Sequence, residues 1–473
     1  MSIWNIKDIR SALESEIVID NSSDDINVDL IEIDSRRVKE NTLFICIKGR
    51  NNNGHDYIES ALDNGAILIL SSEIPEKFSD DNRVLLVKDG TNCLNKLATF
   101  SRARTKAKII AITGSVGKTT VKDMCSFILS KISNCYSTYG NFNNHFGVPI
   151  TLANLGKDVD FAVIEVGMSH AGEIEYLSKM IRPNVAVITT VNSAHIGNFN
   201  NETEIAKAKS EIFLGLEEGG HVIINRDNQY YDFIKNEALQ LTIPEDHIVG
   251  FGFNETSDIR ITSIEDIENQ LSSKISILFN KERENISYKI NTIHQGVISN
   301  SFIVIAILKI LDIDMGEASQ YFLDIELRNG RGNVIKISKN DIILTIIDDS
   351  YNANPTSTLA AIDYLNDIKK VNKNNNVTII LGDMFELGER GVTEHIKIGD
   401  SLANSNIDKI LLVGNLMKNV NKSSLNKEVF YFDNSDQAAE NISSIIKNGD
   451  IILIKGSRGM RMEKIIEKIK YTN

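Results

Sequence analysis

Short, almost unbroken apolar runs recur along this chain, each followed by a stretch whose apolar residues return at helical spacing. From about residue 105 the runs include "KIIAIT", "FAVIEV", "VAVITTV" and "HVIIN"; after residue 330 they include "IILTIIDD", "VTIILGD", "KILLVG" and "DIILIKG". Continuous rather than alternating apolar character marks strands covered on both faces, and strand–helix alternation marks parallel α/β sheets. A smaller set, "LFICIKG", "AILILSS" and "RVLLVKD", lies before residue 105. The pattern predicts three α/β units with boundaries near residues 102 and 330. Between residues 255 and 290, "IRITSIED" and "KISILFN" read as an antiparallel insertion beside the second unit.

Polar residues stand where many of these runs stop: Thr113, Glu165, Asn192, Asp349, Asp383 and Lys455. Open parallel sheets bind ligands outside the carboxyl ends of their strands, so chemistry is expected there. The sharpest case is "KIIAITGSVGKTTVKDM", residues 108–124. It predicts a strand, a glycine turn and a helix whose core stripe is Val121, Met124, Cys125, Ile128 and Ile132. Gly114 and Gly117 let the backbone curl its N–H groups inward, with Ser115 between them, and the helix N-terminus adds partial positive charge. Lys118 can reach terminal phosphate oxygens, the Thr119 hydroxyl can ligate Mg²⁺, and Thr120 follows in the same turn. Ile112 stands where the full phosphate-loop pattern has its first glycine, which removes no donor that phosphates need. The loop suits a kinase, a GTPase or an ATP-driven ligase; an N-K-x-D guanine-reading motif is missing, since "NKLA" at Asn95 lacks the aspartate.

Bulk properties narrow the setting. With 473 residues the chain exceeds a single core. Its net charge of −13 is spread without a basic block, which argues against a nucleic-acid surface. Cys46, Cys93, Cys125 and Cys135 show no metal-like spacing and read as reduced thiols. The N-terminus carries charges too early for a signal peptide. "SFIVIAILKIL" meets Lys309 well before the roughly 20 residues that a membrane span needs. A cytoplasmic protein without a membrane span is expected.

Glu165, closing "FAVIEVGMSH", is placed to hold a metal directly or through water. His195 follows "VAVITTVNSA", and Lys207 and Lys209 lie in "EIAKAKSEIF" on a predicted helix with Ile205, Ala208 and Phe213 apolar. A lone histidine and helix lysines are ordinarily surface residues. A lysine kept neutral by nearby positive charge can instead react with CO₂, and the resulting carbamate is an oxygen ligand for a metal.

Taken together, the sequence resembles the Mur ligases, the ATP-dependent ligases of peptidoglycan synthesis. The likeness spans nearly the whole chain and rests on "IDSRRV", "LFICIKGRNNNGHDYI", "TGSVGKTTVKDM", "GNFNNHFGVP", "IEVGMSHAGEIEYL", "AKAKSEIF", "DDSYNANPTS", "LGDMFELGE" and "IKGSRGMRME". It implies an α/β protein of three domains. These are a small UDP-sugar-binding N-terminal domain (1–102), a central ATP-binding P-loop parallel-sheet domain (103–329) and a C-terminal Rossmann-like ligase domain (330–473). The run "DDSYNANPTS" points to the branch that adds D-alanyl-D-alanine to UDP-N-acetylmuramoyl-tripeptide through an acyl phosphate. ATP, one or two Mg²⁺ ions and a monomeric protein are expected.

By position, the resemblance puts Ser35, Arg36, Lys48, Gly49 and His55 at the UDP-sugar end. Glu165 and His195 become metal ligands with Thr119, and Lys209 the carbamylated lysine. Gly114, Ser115, Gly117, Lys118, Thr119, Thr120, Asn143 or Asn144, Asn300, Arg331 and Asp349 become nucleotide contacts, with Lys118, Lys209, His195 and Arg331 catalytic. Asn352, Asn354, Lys455, Ser457 and Arg458 fall near the incoming dipeptide. Relatives carry H-N-x-x-N before the helix at Asn300. Here Gly296 and Val297 occupy those places and His294 lies two positions early. "RNGRGN", residues 328–333, is the expected hinge for closure of the third domain over the second.

Overall fold

The computed structural model describes residues 2–49, 52–192, 198–266, 272–280, 283–292, 294–339, 342–372, 374–421, 425 and 427–471. Strand Lys108–Thr113 lies inside a nine-stranded sheet, flanked in parallel by Val185–Ile188 and Phe161–Glu165. Successive residues of a strand face opposite sides. Ile110 and Ile112 therefore pack with helices Lys118–Ile132 and Gln295–Ile310 in one core. Ile109 and Ala111 pack with Gly147–Ala153, Glu173–Ile181 and Glu202–Ser210 in the other. Two buried faces are the reason these runs carry no polar alternation.

The sheet continues through His221–Asn225, Ile248–Gly252 and Ile259–Asp266 in parallel, then through Ser273–Phe279 and Glu284–Ile290 in antiparallel pairing. The 255–290 region is thus the far edge of the central sheet rather than an insertion beside it. Its inward side chains, Ile275, Ile277, Phe279, Tyr288 and Ile290, share the core of helix Gln295–Ile310. That helix is buried almost all round, which accounts for its apolar run. No helix among the described residues is long and apolar enough to cross a membrane.

The N-terminal sheet has parallel strands Leu30–Glu32, Thr42–Ile45, Ala66–Ser71 and Val84–Val87, with Ile17–Ile19 antiparallel at the edge. It is fastened to the central unit. Trp4 Nε1 donates to the carbonyl of Ala153 (2.8 Å), and the Asn154 side chain exchanges two bonds with the Ile31 backbone (2.8 and 2.9 Å). Helix Gly90–Arg104 runs through residue 102, where Arg102 donates to the carbonyls of Ile181 (2.6 Å) and Arg182 (2.7 Å). The chain therefore passes from the first sheet to the second inside a packed helix.

The third sheet has six strands in the order Asn333–Lys339, Ile342–Asp349, Ile451–Lys455, Val377–Gly382, Lys409–Val413 and Glu428–Phe432; only the first pair is antiparallel. Helices cover both faces. The four cysteines are unpaired, and burial pushes the thiols of Cys46, Cys93 and Cys135 up to about 12.

Candidate active site

The turn after Lys108–Thr113 has the form that a polyanion requires. Gly117 is the N-cap of helix Lys118–Ile132 at φ 87° and supplies no capping side chain, so the first-turn amides face outward without an internal partner from the cap. A β-carbon at Gly117 would sit 2.6 Å from Asn300 Oδ1; this close approach brings Asn300, on helix Gln295–Ile310, against the loop. Ser115 is stitched to the next strand end: its hydroxyl donates to the carbonyl of Asn192 (3.2 Å) and accepts from the Asn192 amide (3.1 Å). Lys118 folds back and donates to the carbonyl of Gly114 (2.7 Å). Thr119 is buried and Thr120 half-buried on the same turn.

Four ionisable side chains converge beside the loop. Glu165 is 1% exposed at the end of the neighbouring strand. Its Oε1 accepts from Asn143 Nδ2 (2.8 Å), and its Oε2 has no hydrogen-bond partner among the described residues. An unshared buried carboxylate oxygen is costly unless a ligand satisfies it. Burial holds the Lys118 amine below the ordinary lysine value; Glu165 pulls it back up and Arg331 pushes it further down. Lys209 is 2% exposed, and its amine lies well below the ordinary value, first through burial and then through the positive charge of Lys118. Lys207, two residues away, is exposed. Arg331 arrives from the third unit, its Nη2 3.5 Å from Thr119 Oγ1 and its guanidinium 3.9 Å above the Tyr351 ring. His195 lies outside the described residues.

Asn143 and Asn144 separate in role. Asn143 orients Glu165, whereas Asn144 Oδ1 accepts from the amides of Phe146 (3.1 Å) and Gly147 (2.9 Å) at the start of helix Gly147–Ala153. Further out, Asp349 and Lys455 are register partners joined at 2.7 Å, and Lys455 also donates to the carbonyl of Asn352 (3.0 Å). Asn354 caps helix Pro355–Val371 through the Ser357 amide (2.9 Å). Ser457 accepts from the Phe385 amide (2.8 Å), and Arg458 pairs with Glu463 (3.3 Å) and faces Tyr351 at 5.6 Å. Asp383, one of the polar strand ends, is occupied by the amides of Leu416 (3.1 Å) and Met417 (2.8 Å). In the N-terminal unit Ser35 is buried, Arg36 pairs with Asp34 (2.7 Å), and Lys48 and Gly49 are exposed. His55 is occupied at both ring nitrogens, by Asn53 Oδ1 (2.6 Å) and Ser72 Oγ (2.9 Å).

Sequence reasoning did not find Tyr351 as the ring under two arginines, or His294 as a contact between units. Tyr351 carries the guanidinium groups of both Arg331 and Arg458 on its ring. His294 is the N-cap of helix Gln295–Ile310: its Nδ1 accepts from the amides of Gly296 (3.0 Å) and Val297 (3.4 Å). Its ring meets that of Tyr364 edge-on at 4.7 Å. Burial lowers the His294 pKa, opposed by the negative charge of Asp349. The displaced histidine thus caps the helix and touches the third unit at once. The only sequence signal was its shift from the relatives' pattern.

A turn built to hold phosphates, a carboxylate with one free oxygen and an arginine from a second unit define a nucleotide-dependent enzyme. Three family models cover the chain: Mur ligase family, catalytic domain (residues 27–102), Mur ligase middle domain (112–308) and Mur ligase, glutamate ligase domain (330–458). The chain belongs to the Mur ligase family. It is 34% identical, over 98% of its length and 99% of the relative's, to the UDP-N-acetylmuramoyl-tripeptide--D-alanyl-D-alanine ligase of Rickettsia prowazekii. It is 30% identical to the protein of the same name from Escherichia coli, covering 94% of each chain. Its fold matches MurF of Acinetobacter baumannii (TM-score 0.83, 27% identity, 99% and 98% coverage). It also matches MurF ligase of Thermotoga maritima in complex with ADP (TM-score 0.76, 25% identity, 94% and 97% coverage).

Proposed function

We propose that this chain is an ATP-dependent ligase that adds D-alanyl-D-alanine to UDP-N-acetylmuramoyl-tripeptide in the synthesis of the peptidoglycan precursor. The observation that carries the reading is the convergence of Lys118, Thr119, Glu165 and Lys209 of the central unit with Arg331 of the third. It stands within a chain aligned end to end with relatives of that name. ATP with Mg²⁺ supplies the phosphoryl group that turns the tripeptide's terminal carboxylate into an acyl phosphate, open to the dipeptide's amine.

The residues fit that chemistry. The first-turn amides and Lys118 bind and orient the phosphates, and Lys118 leaves the Gly114 carbonyl to do so. Charge accumulates on crowded oxygens during transfer, where Lys118 and Arg331 stabilise it from opposite units. Thr119 Oγ1 and Glu165 Oε2 are oxygen donors of the type that Mg²⁺ takes, with His195 assigned beside them by position. We assign Lys209 as a carbamate. Its neutral, buried amine has the lone pair needed to attack CO₂; an N–C bond forms as one C–O π bond of CO₂ opens, one amine proton goes to solvent, and a neutral side chain becomes an anionic oxygen ligand. Asn143 holds Glu165 in place and Asn300 lies against the loop.

We assign the UDP-sugar end to the N-terminal unit through Ser35, Arg36, Lys48 and Gly49, with His55 shaping the turn that presents them. We assign Asn352, Asn354, Lys455, Ser457 and Arg458 to the dipeptide side, and Asp349, which pairs with Lys455, to the nucleotide. ATP and UDP-linked sugars are intracellular metabolites, so we assign the protein to the cytoplasm. The test is phosphate release from ATP with UDP-N-acetylmuramoyl-tripeptide and a panel of amines. D-alanyl-D-alanine is expected to give at least about tenfold faster release than glycine, L-alanine or L-glutamate. Equal release with all of them, or with none, contradicts the assignment.

A further inference from the structure

Asp123, on the helix of the phosphate loop, has a partner on each side. Its Oδ1 lies 2.8 Å from the ammonium of Lys122, and its Oδ2 lies 2.6 Å from Nε of Arg328. Lys122 is fully buried, and its other contacts are the carbonyls of Thr138 (3.1 Å) and Gly140 (3.3 Å). Those carbonyls belong to the segment that shapes the Glu165 side of the site. Thr138 Oγ1 accepts from the Glu165 amide (3.0 Å), and Asn143, three residues beyond Gly140, bonds the Glu165 carboxylate. On the opposite side Arg328 opens the turn whose Arg331 reaches Thr119; the Arg331 amide donates to the Arg328 carbonyl (3.0 Å).

We propose that Asp123 is a positioning residue that links docking of the third unit to the shape of the Glu165 site. It bridges Arg328 at the interdomain turn and Lys122 beneath the 138–140 segment. The proposal rests on the ligase reading for its kinetic consequence, though not for its structural one. With Arg328 seated, Asp123 is fixed between two cations, and Lys122 is held against the two loop carbonyls. When Arg328 leaves, Asp123 turns toward Lys122 alone, the ammonium shifts, and the backbone that orients Thr138 and Asn143 loosens. Arginine suits the outer position because its planar fork fixes direction as well as charge.

The test compares Arg328→Gln, Asp123→Asn and the double variant in the full chain. Arg328 is partly exposed, so its variant retains the fold even if Asp123→Asn does not. Arg328→Gln is expected to lower kcat about fivefold, the scale of one well-placed ion pair, with the affinity for the UDP-linked substrate unchanged. The double variant is expected to be no slower than Asp123→Asn. Unchanged kcat in Arg328→Gln, or losses that multiply in the double variant, overturns the link. Small-angle X-ray scattering without substrates gives an independent readout: Arg328→Gln is expected to have a larger radius of gyration than the wild type, and identical radii overturn the proposal. An Arg328→Gln protein that expands, beside a wild type that never ligates, refutes the ligase reading and leaves the link standing.

Discussion

At the scale of single residues, protonation decides what the site can do. Lys209 is buried beside Lys118, so its amine is deprotonated at pH values where a surface lysine is charged. In the unfolded chain the same amine titrates at its ordinary value. The unfolded state therefore binds more protons between the two pKa values, and stability rises with pH across that window. Lys209→Met, studied in CO₂-free buffer, is expected to raise Tm at pH 7, and the gain is expected to shrink as pH climbs toward the ordinary lysine value. Constant Tm differences across pH would show that Lys209 is charged when folded. Lys209→Ala is expected to cut turnover on the order of 10²-fold, the scale of losing one charge-stabilising group. A small added carboxylate is expected to restore part of that turnover, and its failure to do so argues against the carbamate.

At the scale of elements, the phosphate loop depends on backbone that only glycine adopts without strain. Gly117→Ala places a side chain at φ 87°, costing about 1–2 kcal/mol, and pushes into Asn300. Calorimetry is expected to show ATP affinity weakened by roughly tenfold or more with a lowered Tm; wild-type affinity would remove the loop from nucleotide binding. This loop was legible in the sequence because strand, turn and helix are local, as were the doubly buried strands with their unbroken apolar runs. Strands such as Cys135–Ser137 were not, because an edge position leaves them half-buried and without a continuous run. Lys122 and Asp123 read as polar surface residues of an amphipathic helix. Lys122 is buried only because the 138–140 segment, distant in sequence, folds over it. His294 was noticed as a displaced histidine, but its double role depends on Tyr364, seventy residues later on helix Pro355–Val371 of the third unit. His55 carried the right surroundings for a ligand contact, and its occupation by Ser72 could not be read from spacing.

At the scale of the whole molecule, three sheets meet so that the strand ends of the second and the hinge of the third share one site. Gly330, at φ 80° and packed so that a β-carbon there would sit 2.9 Å from Tyr351 Cβ, lies beside Arg331, whose guanidinium faces Thr119. The N-terminal unit is bolted to the central one through Trp4 and Asn154, and we propose that closure moves the third unit about the Arg328–Asn333 turn. The account stands on one claim: this assembled site uses ATP to make a carboxylate reactive toward D-alanyl-D-alanine. A single-turnover assay with labelled D-alanyl-D-alanine, UDP-N-acetylmuramoyl-tripeptide and ATP measures it directly. The expected result is one phosphate released per dipeptide joined in the wild type, and neither in Lys118→Ala, which still binds the UDP-linked substrate. Phosphate released without label in the UDP-linked product, or joining that survives Lys118→Ala, would contradict the account.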